Sequence, residues 1–362
     1  MIPGKEKAVN KKREEKIITI GEVLLRLTPP RYEKIKTASA FEAQYGGSEA
    51  NVAASLANLG MDASVMTVVP DNSIGKGAVR MLKSNSVNCD SVIFANEEEA
   101  PSCRLGTYYL ETGYGIRPSQ VVYDRKHSAF CEYDFEKLDM DKLFDGYTWL
   151  HVSGITPALG ENGKKLIRAC LKKAKEKNIT VSFDGNFRSA LWNWEEAREF
   201  CTECLPYIHV LFGIEPYHLW KNPKNPEEGD VKDDLPLQPD FEQQAQVFAE
   251  FKKQYPNIRF MARHVREAKS SSRNSLWAYV WQDGKTYKSR KLSFDVLDRV
   301  GSGDAFAAGI IYGIMNGYTP EDTANFAVAA GALKHTVRGD VHTTDELSLI
   351  HHVMADNFDI KR

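Results

Sequence analysis

The stretch of this chain best suited to chemistry is DRVGSGDAFAAGI, residues 298–310, where an acidic side chain follows two glycines at the start of a small-residue helix pattern. Gly301, Ser302 and Gly303 let the backbone turn tightly and bring several N–H groups to one point, and the helix starting near Asp304 adds the positive end of its dipole. Such a site favours an anion, including the charge that develops on a transferring phosphoryl group. Asp304 stands where a carboxylate can take a proton from an attacking hydroxyl. An aspartate at a helix start is equally an ordinary cap, so the rest of the chain has to decide between the two roles.

Other anion chemistry finds less support. Gly75 and Lys76 suggest a phosphate loop, but Pro70 stands where its first glycine is needed. Cys89, Cys103, Cys131, Cys170, Cys201 and Cys204 follow no disulfide spacing, and Cys201 and Cys204 form a lone CxxC without a partner pair or a histidine cluster. No protein-built metal site is expected. With 47 basic and 49 acidic residues the formal charge is -2, which gives a polyanion such as nucleic acid no general attraction. Any anionic ligand has to be caught locally. No run of 18 apolar residues occurs, and nothing apolar enough for a signal peptide follows the charged N-terminus. The expectation is a cytoplasmic protein without a membrane partner, whose residues 1–15 form a mobile tail.

The elements that must position these groups are legible as rhythm. A chain of 362 residues, 42% of them hydrophobic, can bury one large core. Short apolar runs at 17–21, 63–69, 147–154, 179–184, 207–213 and 258–263 alternate with amphipathic stretches such as 49–60 and 163–178. Continuous apolar strands imply a sheet covered on both faces, hence a three-layer α/β/α domain with a mostly parallel central sheet. Residues 22–45 and 102–133 alternate polar and apolar positions and carry turn residues, which predicts exposed antiparallel strands in a small second sheet. The Pro-rich, acidic segment 221–240 reads as a solvated loop.

Two motifs then carry a resemblance. DRVGSGDAF resembles the DxxGAGDxF signature of the ribokinase-like (PfkB) sugar kinases, and YGGSEANVAASLANLG (45–60) resembles their N-terminal GGxxxNxAxxLxxLG motif. Within that family, VVYDRKHSA (121–129), SFDGNFRSALW (182–192) and KHTVRGD (334–340) are similar to segments of the 2-keto-3-deoxygluconate kinases. The resemblance implies a ribokinase-like domain over residues 16–362, with a small β-sheet lid built from 22–45 and 102–133. It implies ATP as donor, with Mg²⁺ arriving on the nucleotide and held largely through water. Asp304 would be the base, and Gly301, Ser302 and Gly303 the anion hole.

The resemblance further implies that Gly46, Gly47, Asn51, Tyr109, Tyr123, Arg125, Arg188 and Asp340 face the sugar. An acid sugar favours a guanidinium fork, so Arg125 and Arg188 would hold the acid and keto end. Asn186 would serve the nucleotide together with Arg266, Glu267, Ser270, Ser272 and Asn274, which fit an Arg-Glu-x-x-Ser-x-Ser-x-Asn pattern in place of the more common glycine turn. The family's NxxE motif is replaced by IEPY at 214–217. The function implied is 6-phosphorylation of 2-keto-3-deoxygluconate. A kinase for fructose or another ketose or keto-deoxy acid, and a catalytically weak sugar-binding regulator, stand as alternatives. An apolar outer face on the lid would pair with a second copy, giving a homodimer.

Overall fold

The structure, a computed structural model, describes residues 15–213, 240–343 and 347–355. Among these, ten strands form one sheet in the order β13 (Lys285–Lys288), β12 (Arg273–Gln282), β11 (Phe260–Ser270), β10 (Val210–Phe212), β9 (Thr180–Asp184), β8 (Trp149–Ser153), β1 (Lys16–Ile20), β4 (Asp62–Pro70) and β5 (Val92–Ala95), with β14 (Leu292–Asp295) also paired to β12. The pairs from β11 through β5 are parallel, and β12 runs antiparallel to its three partners.

Side chains alternate across this sheet, so Ile17 and Val65 join one apolar core while Ile18 and Met66 join the other. The first core is covered by α1 (Ser48–Asn58), α2 (Ser73–Ser84), α9 (Ser302–Met315) and α10 (Pro320–Lys334). The second lies under α6 (Glu161–Glu176), α7 (Trp194–Cys204) and α8 (Phe241–Gln254). Single turns α3 (Ala129–Glu132), α4 (Met140–Leu143) and α5 (Ile155–Ala158), and the later α11 (Leu347–Met354), complete the described α-helices. The three-layer α/β fold expected from the sequence is thus observed. Helix α9 is almost wholly buried because its residues are small enough to let α10 approach: a Cβ on Gly309 would lie 2.6 Å from Ala327 Cα.

A separate four-stranded sheet has the order β3 (Glu42–Gly46), β2 (Leu24–Thr28), β6 (Gly106–Glu111) and β7 (Gln120–Asp124). Its strands match the two segments whose alternation set them apart, with β3 running one residue past the first, although β2 and β6 pair in parallel rather than antiparallel. One larger departure is the β11–β12 hairpin, which carries the sheet on to Ser270 and back from Arg273. The apolar run at 258–263 marked only its start, since beyond that run polar residues alternate along β11. Residues 1–14, the IEPY stretch at 214–217 and the loop as far as 239 lie outside the described residues. No described helix is long and apolar enough to cross a membrane.

From β1 the chain winds toward β5, then returns to β8 and winds the other way. Such reversals open a crevice at the carboxyl ends of parallel strands. Here those ends are Gly21 and Glu22 after β1, Ser153 on β8 and Asp184 on β9, with the small sheet standing beside them.

Candidate active site

Asp304 occupies the first turn of α9, whose N-cap is Gly301 at φ 80°. A side chain at Gly301 is excluded twice: by that positive φ, and because its Cβ would lie 1.8 Å from the Asp340 carbonyl oxygen. Asp304 does not cap its own helix. Its Oδ1 accepts from Ser48 Oγ at 2.9 Å and its Oδ2 from Asn51 Nδ2 at 2.7 Å. Asn186 Nδ2 donates to the same Ser48 oxygen at 2.9 Å. The strand end at β9, the start of α1 and the start of α9 therefore hold one carboxylate in a fixed orientation, as a base must be held.

Three carboxyl groups sit close together in this crevice. Loss of hydration raises Asp304 to about 6, while the bonds from Asn51 and Ser48 work against the rise. Asp184 is pushed up to about 7 by the same loss and by the charge of Asp304, offset in part by Arg188. Glu49 is 1% exposed and raised to about 7, chiefly by burial; its Oε1 accepts from Ser153 N at 3.1 Å and Ser153 Oγ at 2.6 Å. Like charges in a shared low-dielectric pocket suppress one another's ionisation. A base poised near neutrality is the result.

A buried guanidinium ties the small sheet to this site. Arg26 on β2 donates from Nη2 to Asp298 Oδ2 at 2.6 Å, from Nη1 to Asp340 Oδ1 at 2.8 Å and from Nε to Thr28 Oγ1 at 2.9 Å. Burial works to discharge Arg26, but Asp298 and Asp340 outweigh it and hold the group firmly protonated. Asp298 in turn accepts from Val300 N at 3.1 Å and Gly339 N at 3.0 Å, which fixes the turn that opens α9.

The residues singled out in the sequence divide into groups. Gly301, Ser302, Gly303 and Asp304 share the start of α9, and Asn51 and Asn186 meet at Asp304. Gly46 and Gly47 are required by close packing: a Cβ would lie 2.3 Å from Asp340 Oδ2 at the first and 2.1 Å from the Glu22 carbonyl oxygen at the second. Asp340 is buried, with one oxygen on Arg26 and the other on the Tyr108 hydroxyl. Arg188 is exposed, and its charge reaches Asp184 and Asp304. Arg125 is buried and spends Nε, at 2.9 Å, and Nη2 on Glu22, which leaves Nη1 without a hydrogen-bond partner among the described residues. Tyr123 lies beside both, its ring 6.0 Å from that of Tyr108 and 5.8 Å from the Arg125 guanidinium.

Two expectations are corrected. Tyr109 points to the other face of β6, where its ring meets Phe41 at 5.8 Å; Tyr108, paired with Tyr123 across the strands, faces the site instead. The Arg-Glu-x-x-Ser-x-Ser-x-Asn stretch does not converge on one ligand. Arg266 faces the crevice side of β11, but Glu267 turns away to Lys291 Nζ at 2.5 Å. Ser270 Oγ accepts from Ser272 N at 3.2 Å, and Asn274 is buried with its amide nitrogen directed at the Ser270 and Arg273 carbonyls, both at 3.0 Å. Ser272 Oγ accepts from Gly115 N at 2.9 Å, which docks the hairpin tip on the small sheet's β6–β7 loop.

Sequence reasoning missed Ser48, Arg26, Asp298, Glu22 and Glu49. Ser48 and Glu49 sit inside the GGSEAN motif, where only their neighbours were weighed. The others are charged residues whose partners are remote in sequence, such as Asp340 for Arg26.

Comparison with known proteins agrees with this fold. The model of the pfkB family carbohydrate kinases matches residues 14–227 and 271–347. A 2-dehydro-3-deoxygalactonokinase of Haloferax volcanii is 30% identical over 336 residues, 92% of this chain and 96% of its own. A 2-dehydro-3-deoxygluconokinase of Thermoproteus tenax is 26% identical over 90% of this chain and 89% of its own. The crystal structure of a 2-dehydro-3-deoxygluconokinase from Thermotoga maritima superimposes with a TM-score of 0.83 at 35% identity, covering 94% of this chain and 99% of that one. With its three-layer sheet, its glycine-framed helix start and a carboxylate held there by the GGSEAN segment, the chain belongs to the PfkB family of carbohydrate kinases.

Proposed function

We propose that this sugar kinase transfers the γ-phosphoryl group of ATP to the 6-hydroxyl of 2-keto-3-deoxygluconate. The observation that carries the proposal is Asp304, a recessed carboxylate raised to about 6 and held by Ser48 and Asn51 beside the N-terminus of α9. The sugar oxygen attacks the γ-phosphorus, the bond from that phosphorus to ADP breaks, and the hydroxyl proton passes to Asp304. An alcohol loses its proton late in such a transfer, so most of the acceleration comes from positioning and from the N–H groups of Gly301, Ser302 and Gly303. Mg²⁺, when bound with ATP, neutralises charge on the phosphates. The oxygen donors around Asp304 suit such an ion held mainly by nucleotide and water, and Asp184 is the residue that would face it.

For the acid end of the sugar, the small-sheet side offers Arg125 Nη1 beside Tyr123 and Tyr108. The relatives' names support a keto-deoxy acid. The Haloferax volcanii protein, named for the galacto epimer, favours a second reading in which that epimer is also accepted.

The test is ADP release with ATP, Mg²⁺ and a panel of 2-keto-3-deoxygluconate, its galacto epimer, fructose and ribose, on wild type and Asp304→Asn. The proposal expects the keto-deoxy acids to turn over far better than the neutral sugars. It expects Asp304→Asn to lower kcat by about 10²–10⁴-fold with KM for the sugar little changed. Preference for fructose or ribose would overturn the acid-sugar reading, and an unchanged kcat the assignment of the base.

A further inference from the structure

The chain passes between the central sheet and the small sheet four times: after β1, after β3, into β6 and out of β7. Glu22 stands at every one of these crossings. It lies in the first, between β1 and β2, and a Cβ on Gly47, just after β3, would meet its carbonyl oxygen at 2.1 Å. Gly106, which opens β6, leaves room for the carboxyl group, since a Cβ there would lie 2.5 Å from Glu22 Oε1. From the fourth crossing, Arg125 donates to Glu22 Oε2, and Ser128 Oγ donates to Oε1 at 2.5 Å. Ser128 Oγ in turn accepts from Cys131 N at 3.3 Å, so its hydrogen is committed to the carboxylate. The backbone is held as closely: a Cβ on the preceding Gly21 would lie 2.2 Å from Glu49 Oε2.

A carboxylate fixed in this way decides which edge of Arg125 a ligand meets. A guanidinium is a flat fork of N–H donors, with a side edge formed by Nε and Nη2 and an end edge formed by Nη1 and the outer hydrogen of Nη2. Glu22 Oε2 takes the side edge, with Nε at 2.9 Å. The end edge is left, and its parallel N–H groups match the paired oxygens of a planar carboxylate. A sugar hydroxyl offers them a single oxygen. Arg125 and Glu22 are only 6% and 3% exposed, so neither side chain has room to swing into a second pose.

We propose that Glu22 is a positioning residue that sets the selectivity for acid sugars: by occupying the side edge of Arg125, it turns the end edge toward the carboxylate of a 2-keto acid. The proposal rests on the reading in which Arg125 meets the acid end of the sugar. It adds that the position of the Glu22 oxygens, and not their charge, does the selecting. An ion pair that only tied the two sheets together would not distinguish the sugar from ATP.

The test separates position from charge in the full chain. Glu22→Asp keeps the charge and withdraws the oxygens by one methylene, whereas Glu22→Gln keeps an acceptor oxygen at the same reach and removes the charge. Thermal unfolding checks that each variant folds, and steady-state assays give KM for 2-keto-3-deoxygluconate and for ATP. The expected result is that Glu22→Asp raises the sugar KM by about 10-fold or more and leaves the ATP KM unchanged, while Glu22→Gln does not raise the sugar KM. Should one of the two fail to fold, the other decides. Arg125→Lys, which can pair with Glu22 but has no second edge, is expected to raise the sugar KM at least as far. A wild-type sugar KM in Glu22→Asp, or a rise in both KM values together, overturns the proposal. So does a Glu22→Gln enzyme with as high a sugar KM as Glu22→Asp. If Arg125→Lys raises the sugar KM and Glu22→Asp does not, the acid reading of Arg125 stands and the role of Glu22 falls. An unchanged sugar KM in Arg125→Lys, or a wild type that turns over neutral sugars better than the acid, overturns the reading and the proposal together.

Discussion

At the scale of single residues, the three crowded carboxyl groups make pH the informative variable. Asp304 must be ionised to act as base, so kcat/KM is expected to rise with pH through an apparent value near 6, the limb belonging jointly to Asp304 and Asp184. Ser48→Ala removes one of the two bonds that favour the charged form, so the limb shifts upward, which a pH–rate profile reads directly. Glu49 gives the matching stability effect. Its folded value of about 7 lies above the ordinary 4.5, so its favourable contribution is complete below about 4.5 and is lost as pH rises through about 7. Glu49→Gln keeps the acceptor for Ser153 and cannot ionise, and is expected to be more stable than wild type at pH 8 by about 1–3 kcal/mol, with little difference at pH 4.5. Thermal unfolding at the two pH values checks it. Motifs made Asp304, Asn51 and Asn186 legible in the sequence. Tyr109 was misread for Tyr108 because neighbouring strand residues face opposite ways, and nothing in a lone sequence fixes which of two tyrosines looks inward.

At the scale of elements, the start of α9 depends on a charge supplied by another sheet. Arg26→Met would leave Asp298 and Asp340 buried without their counter-charge, and about 3–5 kcal/mol of stability is expected to be lost, measurable by urea denaturation. Gly309→Ala tests the α9–α10 contact: helix propensity alone would favour alanine by about 1 kcal/mol, yet the approach to Ala327 leaves no room, so a net loss of about 1–3 kcal/mol is expected. Continuous apolar runs announced the parallel strands, since both faces of that sheet are covered. The long β11–β12 hairpin stayed hidden because ARHVREAKSSSRN has the polarity of a surface loop, with Arg266, Lys269 and Arg273 exposed along it. Arg26, on β2, and Glu22, just after β1, were opaque for a related reason: a charged residue in or beside a strand reads as solvent-facing until its remote partner is known.

At the scale of the whole molecule, the outer face of the small sheet carries Phe41, 38% exposed, and Val122, 53% exposed, beside the half-buried Leu27 and Tyr109. We propose that this face meets a second copy of the chain in a homodimer. Val122→Asp is then expected to shift wild-type dimer to monomer in sedimentation at micromolar concentration, and a wild-type monomer there would count against the pairing. Order along the chain made the two-sheet division readable, whereas the small sheet's attachment was not. It is tied near its base by Arg26 and at its tip by the β11–β12 hairpin, where Ser271 N and Ser271 Oγ donate to the carbonyls of Gly115 at 2.9 Å and Arg117 at 2.7 Å. A cover fastened at both ends flexes as an arch does, with load on one footing felt at the other. Amide hydrogens at Gly115 and Ser271 should therefore exchange with solvent at a common rate, and a nucleotide that stiffens the hairpin should slow both together.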